Sequence, residues 1–377
     1  MKRWKLWSAG IIASLTVASC TDPSSTLAFH LEEKGSYAVK TRTGNGSFIV
    51  LDTLDITGAD HFELTFDTAR IISFLPISGE LPVVHAVVGP GIRELEIDAD
   101  GIISGTPEND WMGVQRRMQL DFLSFIDSLD AVKRTYEDSS TFVGLRALDS
   151  AFFAYADNYR TALLAHLHDY PDHLSNLLAF YHRLGREPVV TFETDSALLV
   201  QVLQATKARY PENADVAAFE QQLNSYAEAR LFTRTVEAAA EKFQPGAWFP
   251  SLEMEDLERR WKSFPAKSLD NAVVVLWASW CVPCRNELAQ LSRWDVDQSN
   301  FIFISLDGLP NQANAYADWV EAIDLHELRQ GGTHLSDLKG QRSAAITALG
   351  VQDLPLYFKV ESGRIVKRNA SLEAVLD

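Results

Sequence analysis

Two cysteines separated by two residues, in Trp280-Cys281-Val282-Pro283-Cys284, are the side chains whose types and spacing specify a reaction. They read as a dithiol that is oxidised and reduced in turn. The apolar run Val273 to Trp277 predicts a buried strand leading into the motif, and a helix follows it. Cys281 then falls at the first helical turn, where unpaired backbone N–H groups and the positive end of the macrodipole favour a thiolate. Cysteines in such settings have pKa values from about 3.5 to about 7.5. Cys281 is therefore expected to be the exposed nucleophile. Cys284, three residues on, faces the same side one turn deeper, placed to attack a mixed disulfide on Cys281 and release the reduced partner.

The chain has only three cysteines in 377 residues, which weighs against other uses of the pair. A structural zinc site needs a second pair of Cys or His ligands. His166, His168 and His173 straddle a Tyr-Pro break at offsets that share no helical face, so neither a metal nor any other cofactor is expected. A permanent structural bridge is also disfavoured, because two intervening residues close a small loop that stays reducible.

The third cysteine belongs to the N-terminus. Lys2, Arg3 and Lys5 form a basic segment, Leu6 to Val17 are mostly apolar, and Val17-Ala18-Ser19-Cys20 resembles a bacterial lipoprotein cleavage box. Residues 1–19 are then a signal peptide and Cys20 the lipidated first residue. The competing readings are an ordinary secretory signal or a short membrane anchor, although the apolar run is short for a membrane span. Export to an oxidising compartment means that Cys281 and Cys284 must be kept reduced by a donor or recharged as an oxidant. Removing residues 1–19 takes away three positive charges and no negative ones, from −17 to −20. So acidic a body argues against nucleic acid and against peripheral binding to anionic lipid.

The elements that must hold the motif follow from patterning. The length suggests two or three compact units. From Leu27 to Gly105 the text is strand-like: Phe62, Leu64 and Phe66 alternate with polar residues, as do Leu95 and Ile97, while Gly44-Asn45-Gly46 and Asp98 to Gly101 read as turns. A small antiparallel β domain is expected over residues 20–105. Thr106-Pro107-Glu108 reads as a helix cap with proline at the first position. Apolar residues from Trp111 to Leu129 then recur at helical spacing, so a helical domain is expected over 106–241. Tyr170-Pro171-Asp172 and Tyr210-Pro211-Glu212 each precede a helical stretch, hinting at two stacked pairs. The aromatics Phe152, Phe153, Tyr155 and Tyr159 read as core, and the charged run Glu253 to Arg260 as a solvated face. Residues 242–377 alternate strand and helix: a helix over Val282 to Trp294, a strand over Phe301 to Leu306, helices over Ala313 to Ile323 and Arg342 to Leu349, and a hairpin through Glu361-Ser362-Gly363. Pro355 must stand at a strand end.

This order, with Trp-Cys-x-Pro-Cys after a long strand and a lone proline before the last hairpin, resembles the thioredoxin fold, a mixed sheet flanked by helices. It resembles more narrowly the TlpA/ResA-type envelope thiol–disulfide oxidoreductases. The likeness rests on Trp277 to Leu288, Phe303 to Asp307 and Gly350 to Pro355, within about the last 135 residues. It implies that Glu287 lies beside the thiols and tunes their protonation. It also implies that Pro355 is cis and that Leu354 and Pro355, with Trp280 and Pro283, receive the substrate strand. The segment Leu95 to Met112, ending Ser104-Gly105-Thr106-Pro107-Glu108-Asn109, is similar to the region ahead of the redox domain in many such lipoproteins. Two positions depart from the pattern. Val275 stands where thioredoxins proper carry a buried aspartate and many relatives an asparagine, and Leu354 replaces the usual threonine or valine.

Three functions are compatible with these residues. The first is a membrane-tethered thiol:disulfide oxidoreductase of the bacterial cell envelope, facing the periplasm. Its partners would be disulfide-bearing envelope clients and a membrane thiol donor. The second is a binding or assembly lipoprotein that uses the thioredoxin-like domain as a scaffold; the joint presence of Cys281, Cys284, Glu287 and Pro355 weighs against it. The third is a peroxidase, which wants a proline and a threonine just upstream of its cysteine, where Trp277-Ala278-Ser279-Trp280 has neither. The first 240 residues could select clients, shield the site from rival oxidases, or join two copies as a homodimer.

Overall fold

The structure is a computed structural model and describes residues 24–43, 46–137, 142–291 and 297–376. Cys20 and the leader, Gly44-Asn45 of the expected turn, and the last three residues of the helix expected to reach Trp294 lie outside the described residues. The chain divides into two compact units, Met1–Tyr226 and Ala227–Asp377.

The first eight strands described in the first unit form two four-stranded sheets: β1 (Ser24–His30), β2 (Gly35–Arg42), β3 (Phe48–Ile56), β4 (Ala59–Thr65), β5 (Arg70–Ser78), β6 (Val84–Val88), β7 (Glu94–Ile97) and β8 (Ile103–Ser104). Their orders are β4-β1-β7-β8 and β3-β2-β5-β6. Alternation explains the faces: Ser25, Leu27 and Phe29 of β1 point inward while the residues between them are more exposed. Antiparallel pairing was expected throughout, but β1 takes β7 in parallel, so the first sheet is mixed. Edge strand β3 differs from the rest, with Phe48, Ile49, Val50 and Leu51 all exposed.

Helices α1 (Pro107–Glu137), α2 (Phe142–Asp169) and α3 (Asn176–Ala179) follow. The short strands β9 (Arg183–Leu184) and β10 (Glu187–Pro188) precede α4 (Phe192–Arg209) and α5 (Ala214–Lys242). Thr106 caps α1 by accepting from the Asn109 N–H at 3.3 Å, with Pro107 at the first helical position. The likeness-bearing segment is a hub of this unit. The amide of the fully buried Asn109 exchanges two hydrogen bonds with the Val87 backbone, at 2.8 and 2.9 Å. Glu108 accepts from the Leu174 N–H at 3.0 Å and from the Tyr210 hydroxyl at 3.0 Å.

The seam anticipated between residues 105 and 106 falls inside this unit, where one apolar cluster joins Phe29, Ile72 and Phe74 to Leu163, Leu199 and Val216. After Tyr170-Pro171-Asp172 comes a single helical turn and a hairpin rather than a long helix, so the two Tyr-Pro segments are not equivalent. They meet through Arg209, which pairs with Asp172 at 3.0 Å. Phe153, read as core, is 68% exposed, whereas Tyr159 is buried.

The second unit is built on a seven-stranded mixed sheet of β11 (Leu252–Glu255), β12 (Trp261–Phe264), β13 (Ala272–Trp277), β14 (Phe301–Ser305), β15 (Thr333–Ser336), β16 (Leu356–Glu361) and β17 (Arg364–Asn369). Its order is β12-β11-β15-β14-β13-β16-β17, with β13, β14 and β15 parallel and the other pairs antiparallel. All six residues of β13 are buried, the unbroken apolar reading of a strand covered on both faces. The unit also holds α5 from Ala227 onward and helices α6 (Val282–Leu291), α7 (Ala315–Leu325), α8 (Ala344–Leu349) and α9 (Leu372–Leu376). The run Glu253 to Arg260 is a hairpin end rather than a plain solvated face. Leu252 and Met254 point inward, and Asp256 is buried, accepting from the Arg260 backbone and guanidinium at 2.9 and 3.0 Å.

Candidate active site

β13 ends at Trp277, and the chain crosses Ala278, Ser279 and Trp280 to reach Cys281, the residue immediately before α6. Cys281 and Cys284 are joined by a disulfide, with their Cα atoms 5.3 Å apart. The Cys284 N–H donates to Cys281 Sγ at 3.2 Å, so an unpaired amide of the first helical turn is aimed at this sulfur. That geometry supplies what a thiolate on Cys281 requires, a fixed donor in addition to the end of the dipole.

Cys281 is 5% exposed and Cys284 is fully buried, so the expectation of an exposed Cys281 does not hold. Both cysteines belong to a buried apolar cluster with Trp277, Leu288 and Tyr357, while their neighbours Trp280, at 44%, Val282, at 54%, and Pro283 are exposed. The Leu354–Pro355 peptide bond is cis. Pro355 is buried, while half-buried Leu354 packs against the apolar cluster that contains both cysteines.

The loop ahead of the motif is anchored by a residue whose role the sequence did not reveal. Asp307 is fully buried just beyond β14. Its carboxylate accepts from the Ser279 N–H at 3.0 Å, the Ser279 hydroxyl at 2.5 Å, the Ser305 hydroxyl at 2.5 Å and the Gln312 amide at 2.9 Å. Four donors stand in for the water that a buried carboxylate gives up. Gln312 also accepts from the Gly308 N–H at 2.8 Å and donates to Asp318 at 2.9 Å, tying the network to α7. The available signal was an acid closing an otherwise apolar run, Phe301 to Leu306.

Glu287 lies on α6 and accepts from the Leu372 N–H, the first of α9, at 2.9 Å. Glu287 is therefore partly committed to holding α9. Across the sheet Val275 stands opposite Tyr357, both fully buried in the cluster beneath the disulfide. Burial first, and then the Glu287 carboxylate beside it, hold the Tyr357 hydroxyl protonated well beyond the ordinary tyrosine range. A neutral phenol and a valine thus occupy the region where the related pattern carries an aspartate or asparagine. Among the described residues no group of three or more metal-ligating side chains converges, and no helix is long and apolar enough to cross a membrane.

No family model matches the chain, and no curated protein matches it. Solved structures do. A thiol-disulfide oxidoreductase from Bacteroides fragilis is 24% identical, covering 34% of this chain and 94% of that one, with a TM-score of 0.29. The thioredoxin domain of a thiol-disulfide oxidoreductase from Bacteroides vulgatus is 17% identical over 35% and 91% of the two chains, with a TM-score of 0.28. A secreted disulfide oxidoreductase of Mycobacterium tuberculosis is 15% identical over 32% and 83%, with a TM-score of 0.24. These neighbours are thiol-disulfide oxidoreductases of the thioredoxin fold, and the likeness extends over about a third of this chain.

Proposed function

We propose that this chain is a lipid-anchored thiol:disulfide oxidoreductase of the bacterial envelope that reduces disulfides in client proteins on the periplasmic side. The observation that carries the reading is the bonded pair Cys281–Cys284 with the Cys284 N–H aimed at Cys281 Sγ. In the reduced protein the Cys281 thiolate attacks one sulfur of a client disulfide. A mixed disulfide forms, and the second client sulfur leaves as a thiolate that takes up a proton. The Cys284 thiolate then attacks Cys281 Sγ, forming the bond seen here and releasing the first client thiol. Two electrons pass from the protein to the client, and a membrane thiol donor returns them. Leu354, Pro355, Trp280 and Pro283 form the surface that receives the client, with Glu287 beside the pair.

The direction rests on the Val282-Pro283 dipeptide, which lacks the histidine of strongly oxidising relatives. The deciding experiment equilibrates the mature protein with glutathione and dithiothreitol buffers and reads the thiol–disulfide ratio. A potential near or below about −270 mV supports a reductase, and one near about −120 mV makes the protein an oxidant. A pair that does not cycle overturns catalysis in favour of a binding or assembly lipoprotein with a scaffold domain.

A further inference from the structure

The face of α1 formed by Met112, Gln115, Arg116 and Gln119, spaced i, i+3, i+4 and i+7, lines a cavity of about 470 Å³ in the first unit. That volume lies within the range of small-molecule sites. A helix stripe turned inward is ordinarily apolar, so three polar side chains out of four call for a partner.

One of them lacks any. Gln115 is 4% exposed, and its Nε2 has no hydrogen-bond partner. An amide donor held dry costs about 1–3 kcal/mol unless something accepts from it. Ile71, Ile103 and Phe219 give the lining buried apolar surface, alongside polar residues such as Ser73 and Gln222.

Charge narrows the occupant. Arg42, one of the two lining arginines, is paired with Asp215 at 3.1 Å. Arg116 makes no ion pair among the described residues and commits only its Nε, to the Asp100 carbonyl at 3.1 Å. His85 and His182 also line the space and are engaged through Nδ1, with the Ser73 and Tyr159 hydroxyls at 2.9 and 2.8 Å. Burial holds both imidazoles neutral, so neither repels nor attracts an anion strongly. The unneutralised charge lining the cavity is thus one guanidinium next to an unpaired amide donor, with Ile71, Ile103 and Phe219 supplying apolar surface in the same lining.

We propose that this cavity binds an apolar carboxylate, its oxygens on Gln115 Nε2 and the Arg116 guanidinium and its hydrocarbon against Ile71, Ile103 and Phe219. Such chemistry has two sources, a free acyl chain or the apolar C-terminus of a peptide. The site is independent of the thiol chemistry.

The test titrates the full-length oxidised protein with decanoate, with decanol and with N-acetyl-leucyl-leucine, followed by calorimetry and by the thermal midpoint. Saturable one-to-one binding of decanoate or of the dipeptide is expected, with decanol weaker by roughly tenfold or more, and the tighter carboxylate identifies the source. Gln115→Leu and Arg116→Ala should each weaken binding by roughly tenfold or more, and Gln115→Leu, which removes the dry donor, should not lower the unliganded midpoint. Ala218→Phe, which fills the cavity, serves as the second variant should either of these fold poorly, and it should abolish binding. The proposal is overturned if neither carboxylate binds, if decanol binds as tightly as decanoate, or if Ala218→Phe binds like the parent.

Discussion

The Asp307 carboxylate accepts both the backbone N–H and the hydroxyl of Ser279, two residues ahead of Cys281 and 28 positions away in sequence. The approach to the motif is thereby fixed by a strand end rather than by the motif itself. Replacing Asp307 with Ala removes the acceptor of the Ser279 N–H and hydroxyl and of one Gln312 amide N–H, while Gln312 keeps its bond to Asp318. The expected loss is about 3 kcal/mol in urea unfolding, together with a shifted potential of the Cys281/Cys284 pair. Asp307→Asn keeps the shape, presents some of the donors with an N–H, and should fall between the two. Unchanged stability in the alanine variant would show that water replaces the carboxylate at no cost.

Removing either sulfur should give opposite behaviour. Under the proposed mechanism Cys284→Ser leaves the Cys281 attack intact and removes the resolving thiol, so mixed disulfides with added client or glutathione should accumulate as mass adducts. Cys281→Ser should form few adducts, because Cys284 is fully buried. Equal trapping in the two variants would contradict the assignment of nucleophile and resolving thiol.

Acid should loosen the first unit. Burial, and then the neighbouring His85, push His182 down from 6.5 to about 4. Its folded form favours the neutral ring, so its contribution is complete above pH 6.5 and is lost as pH falls toward 4. Thermal midpoints measured across that window should drop, and His182→Asn should flatten the fall. Alkali should loosen it too. Burial raises Tyr37 to about 12 while its hydroxyl donates to the Pro82 carbonyl at 2.7 Å. Its contribution is complete below pH 10 and fades between pH 10 and 12, and Tyr37→Phe should lessen that loss.

Gly350 closes α8 in the left-handed region at φ 64°, and a Cβ there would stand 2.1 Å from the Ala240 backbone nitrogen. Arg368 bonds the carbonyls of both Gly350 and Ala240. Gly350→Ala should therefore cost more than the 1–2 kcal/mol or so of left-handed strain alone, since the contact is backbone on backbone. A melting point within a few degrees of the parent would show that the segment around Ala240 gives way.

Much of the second unit is legible because its elements carry strong local signals. An unbroken apolar run makes β13, and a cysteine pair with helical spacing opens α6. β15 escapes because it is four residues long behind Gly331-Gly332, and its place between β14 and β11 is set by pairing rather than by pattern. β11 and β12 escape because Glu253 and Glu255 make an alternating strand look like a charged run, and the turn depends on Arg259 adopting φ 62°. In the candidate site Cys281, Cys284, Trp280 and Pro283 are local and readable. Asp307 and Tyr357 act across the sheet, and no local periodicity brings either to the motif. In the first unit α1 is announced by its cap, but the polar stripe on its inner face has meaning only once the cavity behind it is seen.

The brace between Ser279 and Asp307 also sets a clock. A chain emerging in an extended state holds its two thiols next to each other but has no docked β14, no carboxylate behind Ser279 and no ordered helix start aimed at Cys281. Until those long-range contacts close, both sulfurs have the reactivity of ordinary solvent-exposed cysteines. The surroundings of Cys281 are therefore acquired together with the tertiary fold, and under the proposed function a nascent chain would be a poor partner in thiol exchange.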